Sequence, residues 1–222
     1  MSNDATPVND SGIITPFFFI RHAPVIKISG HLPDHDADID PGPYPAATTD
    51  ALNRLHNILP SQAEWTISPL ARTRQTAAML QADLKPLSMR VEPALREQDF
   101  GAWHGREIAK IWPEIAPLPK HNWAFINSDF TPPEGEPFTA QIDRIAAWCR
   151  LIEQQKSFAA PQVIIAHAGT IRAIAAHILG ISTDIAMALS VPHFGFLSAS
   201  LMSADHAKDA HHGGRWQLHH FG

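Results

Sequence analysis

The chain of 222 residues contains one cysteine, Cys149, so an intramolecular disulfide is excluded. That economy suits a reducing compartment such as the cytoplasm. No apolar run approaches the roughly 20 residues that a membrane-spanning helix requires. The N-terminus, MSNDATPVNDSGIITP, has no basic cluster and no small-residue cleavage site after an apolar stretch, so a signal peptide is not expected. Excess positive charge is also missing: 17 Lys and Arg against 22 Asp and Glu leave a formal charge of −5. A nucleic-acid or polybasic membrane surface is therefore disfavoured, and any cationic site has to be local. No internal repeat is apparent. Histidine, by contrast, is abundant, with 14 copies, and His206, His211, His212, His219 and His220 crowd the C-terminus. Gly213 and Gly214 interrupt that group, so a solvated hairpin is the simpler reading and a metal site the less favoured one.

Local patterning predicts an α/β fold. Residues 1–13 are polar and expected to form a flexible tail, with one domain from 14 to 222. Phe17-Phe18-Phe19-Ile20 reads as a strand buried on both faces. Further short strands are predicted at 64–67, 89–91, 163–166, 194–202 and 216–219. Helices are predicted at 46–59, 70–84, 106–112, 139–156, 170–179 and 183–189, that at 70–84 being started by Ser68-Pro69. Short apolar strands alternating with helices imply a three-layer sandwich, with a mostly parallel central sheet and helices on both faces. The proline-rich stretch from 92 to 137 is expected to be a lid insertion, and strand 194–202 is either an edge available for dimerisation or covered within the monomer.

Ligands in such sheets bind beyond the carboxyl ends of the strands. Two predicted strands end there in a histidine beside a small residue: Phe17–Ile20 runs into Arg21-His22-Ala23, and Val163–Ala166 runs into His167-Ala168-Gly169. One such histidine could be a core residue, but two together point to a site. After the strand at 64–67 comes Ser68-Pro69-Leu70-Ala71-Arg72, which puts an arginine in the first turn of a helix. A cation is unfavourable at that end unless an anionic ligand shares it, and the helix N-terminus and the guanidinium would both hold such an anion. Glu97 and Asp99, in Leu95-Arg96-Glu97-Gln98-Asp99-Phe100-Gly101-Ala102-Trp103, offer carboxylates for proton transfer. Trp103, Trp112, Trp123 and His121 in the lid could stack on a flat heterocycle, or simply pack the lid.

In order and sequence these four segments resemble the motifs of the histidine phosphatase superfamily, also called phosphoglycerate-mutase-like. The likeness extends from about Phe17 to Phe196. It implies that His22 is a nucleophile that becomes phosphorylated. Arg21, Arg72 and His167 would bind the phosphoryl oxygens, and Glu97 would serve as general acid and then base, with His167 protonated by the neighbouring anion. Trp103, His104, Glu136 and Ala168 are candidates for the substrate side. Neither a cofactor nor a metal ion is required. Ala23 and Ala168 depart from the usual glycines, His104 stands where Glu is common, and Pro137 where Ser is common. These departures leave the substrate open. The compact length and Arg21-His22-Ala23-Pro24-Val25 look most like the α-ribazole phosphatases of cobalamin synthesis. A general sugar or nucleotide phosphatase is the alternative, followed by a phosphoglycerate-type mutase and a non-catalytic phosphoryl-binding regulator. A small phosphorylated substrate is expected, with no nucleic-acid or membrane partner, in a cytoplasmic monomer or homodimer.

Overall fold

A computed structural model describes residues 14–207 and 214–222. The expected tail at 1–13, together with His211 and His212, lies outside the described residues. Six strands, β1 (Ile14–Arg21), β2 (Glu64–Ile67), β3 (Ser88–Val91), β4 (Gln162–Ala166), β5 (Phe196–Met202) and β6 (Trp216–Phe221), form one sheet in the order β3-β2-β4-β1-β5-β6. The β3-β2-β4-β1 portion is parallel, β5 is antiparallel to β1, and β6 is antiparallel to β5, so β5 alone runs against the other strands. The helices are α1 (Ala46–Ile58), α2 (Ala71–Leu84), α3 (Ile108–Ile115), α4 (Phe138–Glu153), α5 (Ala168–Leu179) and α6 (Thr183–Met187). This is the mixed α/β arrangement expected from the pattern. Strand β5 is covered by β6, so the edge on this side belongs to β6.

The period-2 alternation of the apolar strands sorts side chains onto the two faces. On one face Phe17, Phe19, Ile164 and Leu197 pack with Ile145, Trp148, Ile171 and Ile174 from α4 and α5. On the other, Ile20, Trp65, Val163 and Ile165 pack with Leu55, Ala77 and Leu80 from α1 and α2. Burying each such large side chain contributes about 1.5–3 kcal/mol. The sheet is therefore clamped on both sides, and its central strand ends stay in register.

Residues 92–137 carry a small core of their own. Trp103, Ile111, Ile115 and Ile126 are buried there, with Leu32, Phe100 and Phe130 packed against them. Leu32 comes from the loop between β1 and α1, and backbone hydrogen bonds link the two segments: Leu32 N–H to the Arg106 carbonyl (3.0 Å) and Ile108 N–H to the Gly30 carbonyl (2.7 Å). The insertion and the first loop thus form one wall over the carboxyl ends of β1 and β2. Among the described residues no helix is long and apolar enough to cross a membrane.

Candidate active site

Parallel pairing places Arg21 opposite Ala166 and brings the ends of β1 and β4 side by side. The His22 N–H continues the ladder to the Ala166 carbonyl (3.1 Å). The rings of His22 and His167 then lie 5.1 Å apart between centroids. His22 is 5 % exposed, and its Nδ1 lies 2.6 Å from its neighbour's carbonyl at Ala23, so Nδ1 carries the proton and donates it there. Nε2 is left with a free lone pair. Burial foremost, with Arg72 nearby, holds this imidazole well below its ordinary pKa of 6.5, so it stands neutral.

Ser68 does not cap α2. That helix starts at Ala71 without a side-chain cap from its own segment, because the Ser68 hydroxyl lies 2.7 Å from His167 Nε2. Arg72 donates from Nε to His167 Nδ1 (3.2 Å) and from Nη1 to the His35 carbonyl (2.8 Å). Since Nδ1 accepts, the His167 proton sits on Nε2 and goes to Ser68. The expected protonated His167 is not what these surroundings favour: complete burial and the guanidinium groups of Arg72 and Arg21 push its pKa well below 6.5. Like charges nearby oppose protonation, and the ring is fully enclosed, with both nitrogens engaged by protein. It braces Arg72 from behind.

Arg21 donates from Nη1 to the Val191 carbonyl (2.6 Å) and contacts His193 Nε2 through Nη2 (3.2 Å). Its buried Nε has no partner among the described residues. Burial lowers the Arg21 pKa to about 10, which leaves the guanidinium charged at neutral pH. His193 was missed by sequence reasoning, since nothing about Val191-Pro192-His193-Phe194 marks it. Its Nδ1 lies 3.1 Å from the His22 carbonyl. Donation there leaves Nε2 to accept from Arg21, so one neutral imidazole ties the backbone of His22 to the guanidinium of Arg21. Burial and Arg21 lower its pKa to about 4.

Glu97 arrives from the insertion. Its Oε2 accepts the Gly169 N–H (3.1 Å), and its Oε1 accepts from Gln141 Nε2 (2.9 Å) and the Gln98 N–H (3.1 Å). The carboxylate therefore caps α5, whose own segment provides no side-chain cap. A Cβ at Gly169 would fall on Glu97 Oε1 and 2.7 Å from Gln141 Oε1, so glycine is what admits Glu97 here. Gln141 and Asp36, which caps α2 at the Ala71 N–H, are further supports that sequence reasoning did not single out.

His22, Arg21, Arg72 and Glu97 share a cavity of about 230 Å³, walled by His35, His104, Phe100 and Leu70 among others. Ala168 lies on a second cavity of about 220 Å³ on the far side of Glu97, with Phe125, Phe138 and Arg172. Two substrate-side expectations are overturned. Trp103 is fully buried, stacked on Phe130 (centroids 5.4 Å apart) with its N–H on Glu114, because the insertion needs a core. Glu136 pairs with Arg96 and Arg144 and lines neither cavity, so it is a brace between the insertion and α4. Trp112 and Trp123 are exposed and line neither cavity, and Lys120 sits over the Trp112 ring. His35, Asp99 and His104 bring together three groups able to ligate a metal ion at the cavity rim, the one such cluster among the described residues.

A mixed sheet with two histidines and two arginines gathered at its strand ends defines an α/β protein with a cationic cavity suited to an anion. The comparisons with known proteins make this specific: the chain belongs to the histidine phosphatase superfamily (branch 1), whose model matches residues 46–212. Arg21 and His22 precede the matched stretch and are joined to it by the β1–β4 pairing. The chain is similar in structure to a mycobacterial glucosyl-3-phosphoglycerate phosphatase (TM-score 0.70, 21% identity, covering 94% of this chain and 98% of that one). It is also similar to a proposed α-ribazole-5'-P phosphatase from Escherichia coli (TM-score 0.70, 20% identity, 94% and 96% covered). TTHB049 from Thermus thermophilus aligns over 83% of this chain and 92% of its own at 27% identity, with a TM-score of 0.55. No curated protein matches by sequence.

Proposed function

We propose that the protein is a phosphomonoesterase that transfers the phosphoryl group of a small metabolite to His22 and then to water. The observation that carries this reading is the His22 imidazole, whose Nδ1–H is committed to the Ala23 carbonyl while its neutral Nε2 lies at a cavity shared with two arginines. In the first step Nε2 attacks phosphorus in line, the P–N bond forms and the P–O ester bond breaks. Glu97 supplies the proton taken up by the leaving oxygen. In the second step Glu97 takes a proton from water as its oxygen attacks phosphorus, and the P–N bond breaks to return neutral His22 and inorganic phosphate. The guanidinium groups of Arg21 and Arg72, both on the cavity wall, compensate the negative charge spread over the equatorial oxygens. His167 acts by fixing the plane of Arg72. All the charge compensation comes from side chains, so a divalent ion is not required for this chemistry.

For the substrate we propose α-ribazole 5'-phosphate, with other sugar or nucleotide phosphates as the alternative. The similarity to the E. coli protein favours the first, and the similarity to the glucosyl-3-phosphoglycerate phosphatase favours the second. The burial of Trp103 leaves Phe100 and the imidazoles of His35 and His104 as the flat groups on the cavity wall. Function in the reducing cytoplasm accords with the single buried cysteine, whose thiol pKa is raised by burial.

The test is phosphate release by chelator-treated protein from a panel that includes α-ribazole 5'-phosphate and sugar phosphates, with His22→Ala alongside. Turnover that persists in chelator and disappears in the variant, with phosphate trapped on His22 after an acid quench, is expected. Activity that survives His22→Ala would overturn the phosphohistidine route, and the preferred ester decides between the two substrate classes.

A further inference from the structure

At the cavity rim, His104 Nε2 lies 3.0 Å from the Phe100 N–H and 3.0 Å from Asp99 Oδ1. The Phe100 N–H needs a lone pair on Nε2, and His104 Nδ1 faces the Pro33 carbonyl (3.4 Å), where its proton belongs. Asp99 Oδ1 already accepts the Gly101 N–H (2.8 Å). Two electron-pair donors therefore stand 3.0 Å apart with no hydrogen between them, a contact that repels unless a cation joins it. A proton on Nε2 would serve, and so would a metal ion, either of them taking the single lone pair of Nε2 at the expense of the Phe100 bond. The third member is what a proton does not need. His35, from the loop between β1 and α1, approaches His104 edge-on (centroids 4.9 Å), and one donor atom from each of His35, Asp99 and His104 lies within 4.8 Å of the others.

We infer that His35, Asp99 and His104 form a binding site for one divalent transition-metal ion, of the Zn²⁺ or Co²⁺ type, at the mouth of the cavity. Two imidazoles and a carboxylate are a borderline donor set that suits such ions and not Mg²⁺ or Ca²⁺, which take oxygen ligands. Ligand bonds of about 2.0–2.2 Å draw the donors to a little over 3 Å apart, so Asp99 and His104 are already spaced for it and the exposed His35 ring closes the remainder. The contact of His104 Nδ1 with the Pro33 carbonyl is the outer-shell orientation usual for a ligating imidazole. A bound ion would join the first loop to the insertion, above an Arg72 that is itself held by the His35 carbonyl. The inference does not depend on the phosphatase reading, because the ion sits beside the phosphoryl chemistry and not within it.

The experiment is a calorimetric titration of the chelator-stripped full chain with Zn²⁺, repeated with Co²⁺ and Mg²⁺. The same titrations are run on His35→Ala, His104→Gln and Asp99→Asn, with circular dichroism checking that each variant folds. The wild type is expected to take up one equivalent of Zn²⁺ or Co²⁺ that is lost, or weakened at least about tenfold, in each variant, and to take up no Mg²⁺. Asp99→Asn keeps the oxygen that accepts the Gly101 N–H, so it tests the carboxylate charge without disturbing the turn. Uptake that is unchanged in all three variants would assign binding to other histidines, such as those near the C-terminus, and overturn the site. No uptake by the wild type would overturn it equally, and would leave a proton as the cation between His104 and Asp99.

Discussion

The strand ends that carry Arg21, His22 and His167 and the loops that carry His35, Asp99 and His104 face the same space but hold their side chains by different means. At the strand ends each imidazole has its tautomer dictated by a backbone or buried partner: His22 by Ala23, His167 by Arg72 and Ser68, His193 by the His22 carbonyl. All three are depressed in pKa, chiefly by burial, so they stay neutral while the arginines carry the charge. The loop wall instead stands on a small satellite core around Trp103 and on hydrogen bonds between segments, and its imidazoles reach solvent. A floor tied into the sheet fixes the orientation of the His22 ring closely. A wall held from below can differ among relatives without disturbing it, which fits a family with shared chemistry and varied substrates.

The difference can be probed from its largest expected effect downwards. Trp103→Ala should cost about 3–5 kcal/mol by urea unfolding, because it empties the satellite core. Phosphate release at saturating substrate by the folded fraction should fall far less than for floor variants, and a loss as large as theirs would show that wall and floor are one unit. On the proposed mechanism Arg72→Ala should lower kcat by about 10²–10³-fold by removing donors to the transferring group, with a much smaller change in stability. Gly169→Ala should lower kcat by roughly 10²-fold by displacing Glu97, and Glu97→Gln combined with it should show little further loss.

A subtler effect concerns pH. His193 has a folded pKa of about 4 against an ordinary 6.5, so the unfolded chain binds more protons between those values. Its contribution to stability is therefore full above about 6.5 and is lost as pH falls toward 4. His193→Asn, which keeps a donor near the His22 carbonyl, should flatten the fall in unfolding free energy across that window. An unchanged slope would place the titration elsewhere. The smallest effect is expected at Trp123, 77% exposed. Its replacement by Ala should change stability by less than about 0.5 kcal/mol and leave KM unaltered, and a raised KM would restore the stacking role for the lid tryptophans.

Much of this protein was legible in the order of its residues. The alternating apolar strands located the sheet, and abrupt strand endings at Arg21-His22 and at His167 placed these side chains together at its carboxyl edge. Arg72 in the first turn of α2, a position unfavourable to a cation without an anion, was expected at the site and does line the cavity with His22. What could not be read there depends on contacts between residues far apart in the chain. His193 reaches Arg21 across 172 positions, and Arg72 meets His167 across 95, because β4 inserts between β1 and β2 and α6 returns the chain beside β1. Burial likewise belongs to the assembled fold: it took Trp103 out of the cavity, turned Glu136 into a brace and made His167 neutral. Periodicity is a local property of a strand or a helix, whereas a tautomer, a cap borrowed from another segment or a metal-ligating trio exists only once the sheet order has brought its parts together.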